Sequence, residues 1–116
     1  MEKKDCVERP WGKYYKLHEE PGVWVKRIEV NPGARLSLQT HAKRSEKWIV
    51  IAGQGLASVN GLEIALAPGS VVDVPVSVPH RLGNNSPKML VIIEIATGEY
   101  LGEDDIVRLQ DDYLRS

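Results

Sequence analysis

The sequence has no phenylalanine, a single cysteine (Cys6) and almost no net charge, with 15 Lys and Arg against 16 Asp and Glu. Each shortage excludes something. One cysteine cannot close an internal disulfide, so a reducing compartment, the cytoplasm, is expected. A net charge of −1 lacks the basic footprint of a nucleic-acid binder. No apolar run approaches the ~20 residues of a membrane span, and the start, MEKKDCVERP, lacks the apolar core of a signal peptide. Without phenylalanine, three tryptophans and four tyrosines carry every aromatic contact. Low-complexity stretches, internal repeats and long linkers are missing too. The 116 residues read as one domain, 1–116, long enough to fold without disulfide staples.

What is present is frequent turn punctuation: Pro21-Gly22, Pro32-Gly33, Gly53-Gln54-Gly55, Asn60-Gly61, Pro68-Gly69, Pro79 and Gly83-Asn84-Asn85. The β-branched runs between these marks predict strands near 23–30, 35–41, 46–52, 56–59, 62–66, 71–74, 78–82 and 89–96. Asn60-Gly61 predicts a tight hairpin. Gly53-Gln54-Gly55 reads as a hairpin turn, since no GxGxxG phosphate motif follows. Only the tail, Gly102 to Ser116, has room for a helical turn. The class is all-β, a sandwich or barrel.

Alternation along a strand tells which side chains share a face. Trp24, Ile28 and Val30 form an apolar set with Lys26 on their side, where it either reaches out of a barrel mouth or serves a pocket. In the next run Arg35, Ser37, Gln39 and His41 share one face, and Leu36 and Leu38 the other. That arrangement suits a polar set lining a cavity, with the leucines under a second layer or a partner subunit. The leucine face and open strand edges suggest a homodimer. Glu94 falls between Ile92 and Ala96, either as a buried partner of a cation or exposed. His18 and the run Glu103-Asp104-Asp105 read as solvated, and Trp11 and Trp24 as core or edge packing. Trp48, on the side of Glu46, reads as a cavity wall.

The most informative pattern is Gly33-(x5)-Gln39-x-His41-(x4)-Glu46-(x6)-Gly53, followed by Gly69-(x5)-Pro75-(x4)-His80-(x3)-Asn84. Gln39 and His41, two apart on a strand, point the same way, and Glu46 folds back beside them after a short turn. His80 has the parity of Val78 and Leu82, which places it inward. Two imidazoles, a carboxylate and an amide oxygen then converge on one cation. Such a donor set suits a borderline divalent metal: Zn, Mn, Co, Ni or Fe. Four ligands leave one or two coordination positions for a substrate oxygen, the profile of a Lewis acid.

RPWGKYYKL, VKRIEVNPGARLSLQTHAKRSEKWIV, VPHRLGN and GEYLGEDDIVRLQDDY, spanning Arg9 to Arg115, resemble the type II mannose-6-phosphate isomerase domain of the cupin superfamily. That domain forms the C-terminal part of bifunctional mannose-1-phosphate guanylyltransferase/mannose-6-phosphate isomerase enzymes. No nucleotidyltransferase portion is included in the resemblance, so a stand-alone isomerase domain is expected. The resemblance implies a cupin barrel and metal-dependent interconversion of mannose 6-phosphate and fructose 6-phosphate through a cis-enediol, in GDP-mannose biosynthesis. It implies Gln39, His41, Glu46 and His80 as metal ligands and Arg44 as a catalytic or substrate-contacting residue. Lys26, Arg35 and Arg81 are candidates for the phosphate on parity and motif position. The expected partner is a small sugar phosphate, with neither nucleic acid nor membrane.

Two positions depart from the family pattern. The motif reads Q-x-H-x-x-R-x-E-H-W, and Lys47 stands where its second histidine belongs. Either the lysine has taken over acid–base catalysis, or alternation turns position 47 away from the metal and the change costs little. The alternative function is a non-catalytic metal- and sugar-phosphate-binding cupin. Ser77 replaces a turn glycine, a change expected to carry little weight. The tail block implies a structural role in closing the barrel.

Overall fold

The computed structural model describes residues 6–115. The strands are β1 (Cys6–Arg9), β2 (Gly12–Glu20), β3 (Val23–Val30), β4 (Leu38–Thr40), β5 (Arg44–Ala52), β6 (Gly55–Val59), β7 (Leu62–Leu66), β8 (Val71–Val74), β9 (His80–Gly83), β10 (Leu90–Gly98) and β11 (Val107–Gln110). They form two antiparallel sheets, ordered β1-β2-β3-β10-β5-β8 and β11-β4-β9-β6-β7. No helix among the described residues is long and apolar enough to cross a membrane.

The two-residue repeat decides what fills the space between the sheets. β3 buries Trp24, Lys26, Ile28 and Val30 and leaves the alternate positions half-buried. Trp48, Val50, Val72, Val74, Leu90 and Ile92 join them from the first sheet, and Ala57, Leu66 and Leu82 from the second. The hairpin expected at Asn60-Gly61 is present. Its φ values of 50° and 82° are the paired positive angles of a type I′ turn, with Val59 opposite Leu62.

Several expectations are corrected. Among the described residues the tail holds no helical turn; its central part is β11, which adds to the second sheet beside β4. β1 and β2 were not expected, because charged residues on their outer sides interrupt the apolar alternation. His18 therefore lies on a strand, exposed and 2.7 Å from Glu20. The run 35–41 is not one strand. Only Leu38–Thr40 forms a ladder, and Arg35 makes a single bridge to Gly83. Without a ladder through 35–37 the two-residue repeat is not enforced, so Leu36 lines the interior while Leu38 lies on the outer side. The two leucines thus share no face. Gly53-Gln54-Gly55 is a corner between sheets, since β5 and β6 belong to different ones. Gly53 has φ of 87°, and a Cβ there would lie 2.3 Å from the Met89 carbonyl oxygen. Ser77 adopts φ of 65°, a left-handed angle that glycine reaches without steric cost, so this replacement does carry local strain.

Ile92 is fully buried between Ile28 and Val50 on its neighbouring strands. Ile92→Ala is expected to cost about 2–5 kcal/mol, read as a lower urea midpoint with unchanged slope.

Candidate metal centre

β4 and β9 pair with Gln39 opposite His80, which sets both side chains on one face of the second sheet. His41 follows directly after β4, and β5 turns Arg44, Glu46 and Trp48 inward from the facing sheet. One ligand atom each from His41, Glu46 and His80 lie within 4.8 Å of one another, and all three residues are buried.

Backbone carbonyls fix the imidazoles. His41 Nδ1 lies 2.7 Å from the Asp105 carbonyl oxygen, and His80 Nδ1 lies 2.9 Å from that of Val78. A carbonyl only accepts, so each Nδ1 carries the proton and donates it, which leaves both Nε2 lone pairs facing inward. His80 Nε2 is buried with no hydrogen-bond partner among the described residues. A buried acceptor left alone costs about 1–3 kcal/mol, and a cation at this point would satisfy it. The donor set fits a divalent metal.

Protonation states agree. Burial pushes the pKa of both histidines below the ordinary 6.5, so they stay neutral. For Glu46 burial acts upward, but its closeness to His41, Arg44 and His80 outweighs it and holds the carboxyl low; with both imidazoles neutral, the standing cation among them is Arg44. Glu46 Oε2 accepts from Arg44 Nε at 2.9 Å and lies 3.2 Å from His41 Nε2. Oε1 accepts from Trp48 Nε1 at 2.9 Å. Neutral imidazoles and an ionised carboxylate are the states in which these groups bind metal. Gln39 stands beside them, its amide nitrogen 3.1 Å from His41 Nε2 and its oxygen accepting from Ser37 Oγ at 2.6 Å. Half a turn of the amide would present the oxygen, with the Ser37 hydroxyl then accepting.

A cavity of about 100 Å³ opens over this group. Its wall includes Trp11, Tyr14, Lys26, Arg44, Trp48, Glu94 and Glu103. A larger hollow of about 370 Å³ lies on the outer side of the second sheet, but it holds none of the candidate ligands. Glu94 resolves as buried, and its Oε2 accepts from Trp24 Nε1 at 2.8 Å. Burial, and then the charge of Glu46, push its pKa up to about 8. A second anion beside Glu46 is thereby avoided near neutral pH.

The cationic candidates separate. Lys26 is buried in the cavity, with Nζ 2.6 Å from Glu103 Oε2, 3.8 Å from the Trp24 ring centre and 4.2 Å from that of Tyr14. Arg44 reaches the Gly102 carbonyl oxygen at 3.2 Å and His41 Nε2 at 3.2 Å. Arg81 sits at the rim, donating to the carbonyl oxygens of Leu36 and Gln110. Two candidates do not belong. Arg35 is outside, on the larger hollow, gripping Asp112 at 2.7 and 2.9 Å. Lys47 is 53% exposed and lies 3.4 Å from Asp73, so it is no part of the centre. The strand alternation that buries Glu46 and Trp48 turns it out.

The acidic tail run is not simply solvated. The Asp105 carboxylate accepts the Ala42 and Lys43 N–H groups at 2.8 and 2.9 Å, and Glu103 receives Lys26 and the Tyr14 hydroxyl. Asp104 alone stays outward, beside Tyr100. Arg9, Arg108 and Arg115 also reach the cavity, unforeseen from the sequence. β1 and β11 were not expected as strands and Arg115 lies beyond the last of them, so no alternation could place these three.

Asp105→Ala is expected to release the strap that holds His41 Nδ1 and to weaken zinc binding roughly 10- to 100-fold, measured by competition with a chromophoric chelator. The metal-free protein is expected to be most stable near pH 6.5. Below it the two buried histidines bind fewer protons than in the unfolded chain, so stability falls as pH falls. Above it Glu94, whose pKa is raised in the fold, must ionise, so stability falls as pH rises toward about 8. Urea midpoints from about pH 5 to about pH 9 test both arms.

Residues 1–111 match the family described as mannose-6-phosphate isomerase C-terminal. The chain is 39% identical over 109 residues to a mannose-1-phosphate guanylyltransferase of Klebsiella pneumoniae, covering 94% of this chain and 23% of that protein. It is 44% identical over 110 residues to the alginate biosynthesis protein AlgA of Pseudomonas aeruginosa, covering 95% and 23%. The chain thus spans about a quarter of the length of these relatives. The capsular polysaccharide assembling protein CapF of Staphylococcus aureus superimposes with a TM-score of 0.80 at 21% identity, over 90% of this chain and 34% of that one. A cupin-2 domain of Rhodospirillum rubrum does so with a TM-score of 0.69 at 22% identity, over 80% and 67%. These two show the fold, the double-stranded β-helix of the cupins. By sequence, then, the chain belongs to the mannose-6-phosphate isomerase C-terminal family.

Proposed function

We propose that this domain is a metal-dependent isomerase interconverting mannose 6-phosphate and fructose 6-phosphate. The observation that carries the reading is the buried group of His41, Glu46 and His80. Its protonation and tautomers suit a cation, it lies under a cavity with Lys26 and Arg44 in the wall, and the chain is a member of this family. His41, Glu46 and His80 would hold the metal, joined by Gln39 once its amide is turned. When bound, a divalent cation supplies Lewis-acid polarisation of the substrate carbonyl.

The reaction moves a proton between C2 and C1 through a cis-enediol and another between the two oxygens. Arg44 brings a fixed positive charge beside the ligand group, placed to stabilise negative charge developing on those oxygens. Lys47 faces away, and Glu94 and Glu103 are the carboxyls of the cavity wall, outside the ligand group, that we assign to carry the proton. The apolar walls of Trp11, Trp48 and Leu82 exclude water and strengthen each of these interactions. We place the activity in the cytoplasm, in the supply of activated mannose. The names of relatives in alginate and xanthan biosynthesis support this placement.

The purified chain with added divalent metal is expected to interconvert the two sugar phosphates, and a chelator to abolish turnover. His41→Ala is expected to lose roughly a hundredfold or more in kcat/KM. Full turnover in that variant, or in metal-stripped protein, would sink the mechanism. The alternative, a binder that lost its acid–base group at Lys47, predicts sugar-phosphate binding without turnover and recovery in Lys47→His. Because Lys47 is exposed beside Asp73, that variant is expected to stay within about twofold of the parent.

A further inference from the structure

Three arginines from separate parts of the chain reach the same cavity wall: Arg9 at the end of β1, Arg108 on β11 and Arg115 beyond it. Arg108 stands opposite Gln39 in the ladder between β11 and β4, so its side chain shares the cavity face with that residue. Arg115 is braced by Asp111, whose oxygens lie 2.8 Å from Nε and 3.1 Å from Nη2. Arg9 donates to the Glu8 carbonyl oxygen at 3.1 Å and lies over the Tyr14 ring at 5.6 Å, both neutral partners. The three charges oppose one another. Burial and then the charge of Arg115 push the pKa of Arg108 down, with Asp111 opposing them and Arg9 adding to them.

Asp111 answers part of this charge by bracing Arg115, and the three guanidiniums still line one cavity wall that is open to an anionic group. Guanidinium forks match the oxygens of a phosphate group, which can accept from several directions at once. The three residues expected to take the phosphate are committed elsewhere. Lys26 is paired with Glu103, Arg35 faces the outer hollow, and Arg81 donates to the carbonyl oxygens of Leu36 and Gln110. We propose that Arg9, Arg108 and Arg115 form the seat for the substrate's phosphate group, with the carbonyl end of the sugar directed toward His41, Glu46 and His80. The ligand class is a phosphomonoester of a small sugar. This assignment rests on the sugar-phosphate reading above and specifies which part of the site takes the anion.

The test uses the full chain with inorganic phosphate as probe, titrated at low salt and followed by calorimetry and by tryptophan fluorescence, since Trp11 lines the same cavity. Arg9→Gln and Arg108→Gln are each expected to weaken phosphate binding roughly tenfold or more. Arg108→Lys, which keeps the charge and loses the fork, is expected to fall between. With mannose 6-phosphate as substrate, KM should rise by more than kcat falls. Melting temperatures taken in parallel identify variants that fold as the parent does, and Arg9→Gln with Arg108→Lys decide the matter if Arg108→Gln does not fold. Folded variants that bind phosphate as tightly as the parent would overturn the seat, as would a parent chain that binds neither phosphate nor mannose 6-phosphate. Arginine-dependent binding without turnover overturns the isomerase reading and leaves the seat standing. Turnover with an unchanged KM in the variants does the reverse.

Discussion

One buried negative charge, on Glu46, sets the terms for everything around it. A carboxylate taken out of water costs several kcal/mol unless charges and hydrogen bonds replace its hydration. Here the guanidinium of Arg44 and the indole of Trp48 each take one oxygen, and His41 stands against the first. Glu94, also buried, stays protonated near neutral pH because burial, and then the charge of Glu46, penalise a second anion. The charge on Glu46 thus accounts for an inward-facing arginine, a polar tryptophan contact and a neutral acid in what would otherwise be an apolar barrel. It also makes the group receptive to a cation, which would be drawn to the carboxylate and to two imidazole lone pairs at once.

The second organising feature is the segment that follows β10. From Gly102 to Asp105 it crosses the cavity, and its main-chain and side-chain oxygens meet three cavity groups in turn: Gly102 receives Arg44, Glu103 receives Lys26, and Asp105 receives His41. The Asp105 side chain ties the strap to the backbone of Ala42 and Lys43. A carbonyl oxygen that selects the tautomer of a ligand acts at second hand, through the orientation and basicity of the imidazole. This segment joins the geometry of the buried His41, Glu46 and His80 group to the fold, since β11, which follows it, extends the same sheet that carries Gln39 and His80.

Charge in the domain is also unevenly placed. The sequence total is close to zero, yet arginines and a lysine gather around one cavity while compensating acids are spread between its wall, the strap and the outer surface. Arg9, Arg81, Arg108 and Arg115 line the cavity wall, while the ionised carboxylate of Glu46 is held against the Arg44 guanidinium.

The all-β class, the hairpin at Asn60-Gly61 and the inward parity of Lys26 and His80 were legible in the amino-acid order alone. Each depends on a local rule: a positive-φ dipeptide or a two-residue repeat in a paired strand. The same repeat made position 47 legible as outward, and the joint spacing of His41, Glu46 and His80 made the ligand group legible before any fold was in view. The rule failed where the chain is not in a ladder. Between Arg35 and Ser37 no continuous pairing holds the backbone, so Arg35 swings outside and Leu36 inside, against parity. Nor could spacing reveal that Asp105 meets His41 from 64 residues away, or that Arg9 and Arg108 share a wall. Those are contacts between distant segments, fixed only when two sheets close on each other and β1 and β11 reach the same cavity.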